Sequence, residues 1–197
     1  MKLPEHVRTA FVSVISLTLL TGCLFPLVLF ALGRLLYPYQ AAGSLVTRDG
    51  IVIGSRLIGQ DFTRPEYFHS RPSAAGTGYD GTSSGGTNFG PSNRKLIDGI
   101  RQSAEVYRKS NGLPPDTVVP IDAVTGSGSG LDPHISPANA ELQIARVARA
   151  RGLDDNSVRN LVASHTEGPQ LGLMGSPRVS VLELNLALDQ AAPLTRR

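Results

Sequence analysis

A chain of 197 residues with 41% hydrophobic and 18% charged side chains suits one domain of ordinary size with a buried core. Its net charge of +3 comes from Lys and Arg that are scattered, with no basic run interleaved with aromatics, so nucleic-acid binding has no support. The single cysteine, Cys23, lies in an apolar stretch, so disulfides say nothing of the redox compartment.

Between Arg8 and Arg34 no residue carries a formal charge, and most are apolar. At 1.5 Å per residue, Thr9 to Gly33 spans ~37 Å as a helix, enough to cross a hydrocarbon core of ~30 Å with some tilt. Ser13, Ser16, Thr18 and Thr21 can return their hydroxyls to carbonyls one turn earlier. Pro26 removes one backbone donor and predicts a kink that membrane helices tolerate. Tyr37 and Tyr39 follow at headgroup depth. Leu20-Thr21-Gly22-Cys23 resembles a bacterial lipoprotein cleavage site, but the apolar run continues ten residues past Cys23. It is also too long for the apolar core of a cleaved signal. The organisation read from the sequence is a tail at 1–8, a transmembrane helix at 9–33 and a soluble domain at 34–197. Lys2, Arg8 and the amino terminus against Glu5 place the tail in the cytoplasm and the domain outside by about one charge.

The domain begins with β signals: Leu45-Val46, Ile51-Val52-Ile53 and Leu57-Ile58 flank Asp49-Gly50, a hairpin turn pair. Residues 70–92 scatter six glycines among Ser, Thr, Asn and Pro and form no regular element alone. Such length hints at function. Ser92 or Asn93 caps a helix with an inward stripe of Leu96, Ile100, Ala104 and Tyr107, ending near Gly112. A second loop runs from Pro114 to Ile135. Ser136 then caps a helix with Pro137 in its first position, with Ala138, Leu142 and Ala145 joined by Ile144, Val147 and Ala148 on its buried side, stopping at Gly152. Asp154 to His165 is another helix, facing Val158, Leu161 and Val162 inward. After a short strand at Arg178-Val179, Ser180 to Glu183 fits a capping box for a helix over Val181 to Gln190. A β-rich start followed by about four helices indicates an α+β fold.

The densest candidate for chemistry is Thr125 to Ser136, with three glycines, four hydroxyls, Asp132 and His134 just before a helix start. Glycines allow close backbone approach, and free amides at a helix start favour anions. It is not a Walker A loop, because the lysines are only Lys2, Lys95 and Lys109. It is not a Gly-x-Ser-x-Gly elbow either, although Ser129, His134 and Asp132 supply the residue types of a serine hydrolase. The plain alternative is that Asp132 and Ser136 cap the following helix while the glycines make turns. His6, His69, His134 and His165 share no ligand spacing, so no metal is expected, and His69 reads as a turn or surface residue.

The same residues resemble a family. Gly59-Gln60-Asp61-Phe62, Tyr67 to Ser73, Ser84 to Asn93, Thr125 to Ser136, Gln143 to Gly152 and Arg178 to Asp189 are all similar to the KdpC family, the C subunit of the bacterial high-affinity potassium-transporting P-type ATPase. The chain departs from the usual Thr-Ala-Ser-Ala-Ser-Gly-Leu-Asp-Pro-His in having Gly126 and Gly128 for the alanines, which loosens the loop. Thr87 stands for a usual Ser, and Ser180 for a common Asn.

This resemblance implies a non-catalytic subunit in the bacterial inner membrane. Its partners would be a channel-like potassium-binding subunit, a P-type ATPase subunit and a small single-span subunit. Hydrolysis would belong to the ATPase subunit. The resemblance also implies a catalytic chaperone that raises the affinity of that subunit for ATP. Ser127, Ser129, Asp132, His134 and Gln143 are then the candidate nucleotide contacts. A domain outside the membrane cannot meet cytoplasmic ATP, so the alternative is an extracytoplasmic assembly or gating subunit at the potassium entrance. A membrane-anchored hydrolase using Ser129 and His134 is the different-class alternative.

Overall fold

The computed structural model describes residues 4–193. Lys2, used above for orientation, and residues 194–197 of the domain lie outside the described residues. Two compact units are present, Met1–Leu45 and Val46–Arg197.

The first unit is built on a helix from Glu5 to Leu36, longer at both ends than the predicted 9–33, with mean hydropathy 2.3 and no buried residue. It is long and apolar enough to cross a membrane. It comprises α1 (Glu5–Leu19), one π turn (Leu20–Leu24) and α2 (Phe25–Leu36). The π turn is the local answer to Pro26, whose ring opposes the carbonyl of Gly22 and whose nitrogen cannot donate to it. The Phe25 N–H instead reaches back to the Leu20 carbonyl, so the extra residue is absorbed within the helix. Thr21 donates its hydroxyl to the Leu17 carbonyl at 2.7 Å. A short helix, α3 (Pro38–Ala41), follows.

The second unit opens with the hairpin β1 (Leu45–Arg48) and β2 (Ile51–Ser55). Asp49 and Gly50 sit at φ +52° and +77°, the two left-handed positions of a type I′ turn. The long glycine-rich loop follows, and then α4 (Arg94–Asn111), capped by Asn93 through Lys95 N and closed by Gly112 at φ +66°. The predicted stripe of α4 is only half-buried, because the helix meets the domain mainly through its last turns. There Tyr107 donates to the Asn139 side chain at 2.8 Å.

The core is carried by α5 (Pro137–Arg151), α6 (Asp155–Ser164) and α7 (Val181–Ala191). Ile144, Val147 and Ala148 of α5 pack with Val158 and Val162 of α6 and Leu184 and Leu188 of α7. Ala138 and Ala145, expected on the same face, are exposed, because the buried side of α5 runs through Asn139, Ala140, Gln143 and Arg146 instead. Ser136 caps α5 through Asn139 N, as the sequence predicts, and Asp154, expected as the first residue of α6, caps it instead through Ser157 N. A three-stranded antiparallel sheet in the order β3-β5-β4 closes one side, from β3 (His134–Ile135), β4 (Thr166–Glu167) and β5 (Arg178–Ser180). Its register pairs Ile135 with Val179 and Thr166 with Val179. Strands β3 and β4 are two residues each, too short for a period-2 pattern to show in sequence.

The capping box predicted at Ser180 does not form. The Ser180 side chain makes no cap bond and its hydroxyl is buried without a partner. Glu183 turns outward instead, to Arg56 at 2.9 Å. Ser180 is bound into β5 opposite His134, which holds its side chain away from the helix end.

Candidate functional site

Inside the domain, the extended segment Tyr67-Phe68-His69 is held by two side-chain amides acting as strand partners. Asn185 of α7 accepts from Phe68 N at 2.8 Å and donates to Phe68 O at 2.9 Å. Gln143 of α5 does the same for the next residue, accepting from His69 N at 2.7 Å and donating to His69 O at 3.2 Å. Each amide has one donor and one acceptor group, which is what a peptide unit of a neighbouring strand would offer. The Phe68 ring is thereby fixed in the core, and the chain beyond it is aimed at the Thr125 to Ser136 loop.

Gln143 is 1% exposed, so the structure places this candidate nucleotide contact in the interior, apart from the other four. Its amide also donates to Asn139 at 2.9 Å, and its oxygen accepts from Arg146 at 2.7 Å. Arg146 is buried and bonded to Asn111, Pro65 O and Tyr67 O with no carboxylate among its hydrogen-bond partners. Burial lowers its pKa to about 10, still far enough above neutrality to keep the charge. Asn139, Gln143 and Arg146 recur at helical spacing on the core-facing side of α5. Polar residues threaded through an apolar stripe are the sequence signal for such a buried network.

Across Ser129 to Asp132 the second glycine-rich loop is stitched to the first and to Gly59. Arg71 donates to Asp132 at 2.9 Å. Ser73 donates to Gly130 O at 2.7 Å, Gly85 N to Ser129 O at 2.9 Å, and Gly59 N to Leu131 O at 2.7 Å. Tyr79 donates its hydroxyl to Arg71 O, and burial pushes that phenol up to about 12. The segment 70–92 therefore has no regular element but is pinned at Arg71, Ser73, Ser84 and Gly85. Gly130 shows why glycine is needed at this seam. It lies at φ +68°, and a Cβ there would sit 2.7 Å from Ala75 N and from Gly85 O.

The remaining candidates are together in this seam. Ser127 and Ser129 hydroxyls lie 3.3 Å apart, and Ser129 Oγ accepts from Leu131 N at 3.1 Å. Asp132 Oδ1 accepts from His134 N at 3.0 Å and lies 3.2 Å from His134 Nδ1. Burial raises the Asp132 pKa, but the His134 ring and backbone bonds and the Arg71 charge outweigh it and hold the carboxyl below its usual value. Asp132 does not cap α5. That role is extended by Asp122, which accepts from Ser136 N, Ser136 Oγ and Asn139 Nδ2 within 2.9 Å. Among the described residues Ser129 makes no hydrogen bond to His134, so the nucleophile–base contact of a hydrolase is not formed. No three His, Cys, Asp or Glu among the described residues converge as metal ligands.

His69 is half-buried rather than fully exposed. It lines, with Arg71, Phe62, Tyr79, Val106 and Tyr107, a cavity of about 540 Å³ between α4 and the 61–79 segment. Burial, and then the charge of Arg146, lower its pKa, and its Nε2 lies 3.1 Å from Arg64 O. A neutral ring donating to that carbonyl fits both.

The family described as K+-transporting ATPase, c chain, KdpC, matches residues 7–190. The chain belongs to the KdpC family. It is 49% identical over 191 residues to the potassium-transporting ATPase KdpC subunit of Koribacter versatilis, covering 96% of this chain and 97% of that one. It is 51% identical to the subunit of that name in Mycobacterium tuberculosis, covering 92% and 96%. For Cereibacter sphaeroides the figures are 50%, 94% and 97%. The chain is therefore an accessory subunit of a potassium-transporting ATPase complex. Three of its family motifs meet at the loop seam, where Arg71, Ser73 and Ser84 bond to Asp132, Gly130 O and Ser129 O.

Proposed function

We propose that this subunit braces the potassium-transporting ATPase from the extracytoplasmic side, at the potassium entrance, without contacting nucleotide. The observation that carries this reading is the enclosure of Gln143. Its amide oxygen and nitrogen are both spent on His69, Asn139 and Arg146, so it would meet ATP only if the core opened. Asp132 and Ser129 are likewise engaged, Asp132 by Arg71 of the facing loop and Ser129 by Leu131 N of its own, which makes a rigid surface of them. Rigid surface suits a part that holds other subunits in register. The partners would be the channel-like potassium-binding subunit, the P-type catalytic subunit and the small single-span subunit.

A second reading, the chaperone that raises ATP affinity, is favoured by one feature. The amides of Gly126, Ser127, Gly128 and Ser129 have no acceptor among the described residues, and most of this run is exposed. Four such amides beside Arg71 suit phosphate oxygens. Ser127, Ser129 and His134 would then surround the anion, with Asp132 orienting Arg71 and His134 and Gln143 holding the scaffold behind them. The residues at the seam fit an anion better than they fit a whole nucleotide.

Alkaline phosphatase and β-galactosidase fused at the carboxyl end separate the two. Phosphatase activity in intact cells is expected, and it removes cytoplasmic ATP from reach of the domain. A β-galactosidase-active, phosphatase-silent pair overturns the bracing model. In that case Ser127→Ala with Ser129→Ala should raise the KM for ATP of the assembled complex.

A further inference from the structure

Between β4 and β5 the chain makes an ordered apolar projection that the seam does not use. Residues 168–177 read Gly-Pro-Gln-Leu-Gly-Leu-Met-Gly-Ser-Pro, without a charged side chain. At the base Glu167 and Arg178 neutralise one another at 2.9 Å. At the tip Gln170 N donates to Met174 O at 2.8 Å, and Met174 N returns a bond to Gln170 O at 2.9 Å. Leu171 stands at φ +53°, followed by Gly172 at +74° and Gly175 at +86°. Outside this small ring point Leu171, Leu173 and Met174, 87%, 89% and 56% exposed.

Two costs coincide here. A leucine in the left-handed region is a strained residue that Asn or Gly would relieve. Three large apolar side chains side by side in water are the usual mark of an interaction site rather than of scattered surface. A link between two antiparallel strands needs only a few polar turn residues. The fixed backbone and the exposed side chains together describe a knob.

The chemistry of the knob selects its socket. Loops that rest on lipid carry Trp, Tyr, Lys or Arg at the interface, and residues 168–177 have none. Lipid also makes no demand on backbone geometry, whereas a shaped pocket does. A second copy of this chain could offer the cleft beside Tyr107 and Val106, but that cleft is also lined by Asp61, His69, Arg71 and Gln102, which an uncharged aliphatic knob would desolvate without pairing. The chain belongs to a family of ATPase subunits, so other polypeptides of the same assembly are at hand. We infer that Leu171, Leu173 and Met174 seat in an uncharged, aliphatic-lined socket on another subunit of the potassium-transporting ATPase. This rests on membership of that complex and on neither mechanism proposed above.

The test uses the whole complex in native membranes, with Leu173 replaced by the photoreactive p-benzoylphenylalanine. Irradiation is expected to give a covalent adduct with another ATPase subunit, mapped by mass spectrometry to a segment of aliphatic residues. An adduct only with lipid, only with a second copy of this chain, or none at all in an assembled complex overturns the inference. The combined change Leu171→Ser, Leu173→Ser and Met174→Ser gives an independent reading. It should leave the thermal transition of the isolated full chain in place and lower co-purification with the ATPase by roughly tenfold or more, as loss of a buried anchor does. Co-purification within about twofold of the parent, with the crosslink absent, sinks it.

Discussion

Replacing Gln143 by alanine separates a structural role from a nucleotide contact. The change deletes four hydrogen bonds, to His69 N, His69 O, Asn139 Oδ1 and Arg146 Nη2. Asn139 Oδ1 keeps Tyr107 as a donor, but the His69 amide and one guanidinium nitrogen lose an acceptor in the interior. At ~1 kcal/mol net for each bond and more where a buried donor is orphaned, the loss comes to about 3–5 kcal/mol. That is a large part of the ~5–15 kcal/mol that holds an ordinary domain together. With a urea dependence of about 2 kcal/mol per molar, the midpoint should fall by roughly 2 M. The assay is far-UV circular dichroism of the full chain in detergent micelles, following the helices of the domain. Gln143→Met keeps the volume without the amide and should retain most of the loss, which assigns it to hydrogen bonding and not to a void. The reasoning fails if Gln143→Ala unfolds within about 0.25 M of the parent while the complex loses affinity for ATP.

Other outcomes follow from the seam and its surroundings. Gly130→Ala should destabilise by about 2–4 kcal/mol in the same melt, because a left-handed φ and backbone overlap add. Gly128→Ala meets no atom within 4 Å and has no left-handed φ, so it should stabilise by about 0.4–1 kcal/mol. Ser180→Ala removes a buried hydroxyl that has no partner, and its melting should be unchanged or raised, where a lost cap would lower it. His69 is held neutral, its folded pKa below the ordinary 6.5. Its contribution is full above that value and is lost as pH falls from 6.5 through the folded pKa, since the unfolded chain takes up the proton first. Proton NMR of the His69 ring should titrate below 6.5, and His69→Gln should flatten the stability profile in that window. Asp132 works at lower pH with a depressed pKa, so its contribution is present above about 3.8 and disappears as pH falls through the folded value.

The long apolar helix, the Asp49-Gly50 hairpin, the caps at Asn93 and Ser136 and the glycine stops at 112 and 152 were all legible in the sequence. Each is decided within a few residues, by hydropathy, turn geometry or a side chain that satisfies a nearby amide. Even the π turn has a local cause in Pro26. The family could be read as well, because its motifs are continuous runs of residues.

Tertiary structure decided the rest, where a side chain's partner lies far along the chain. Gln143 looks like an available amide until His69, 74 positions away, is found occupying both of its ends. Ser180 and Glu183 have capping-box spacing, but β5 pairing and Arg56 draw them elsewhere. Segment 70–92 forms no regular element alone, and turns around Ser73 and Asp80 are fixed in place by Gly130 and Ser129 across the seam. Local propensity sets which elements form. Which polar groups remain free to meet a partner depends on the long-range hydrogen bonds that burial enforces.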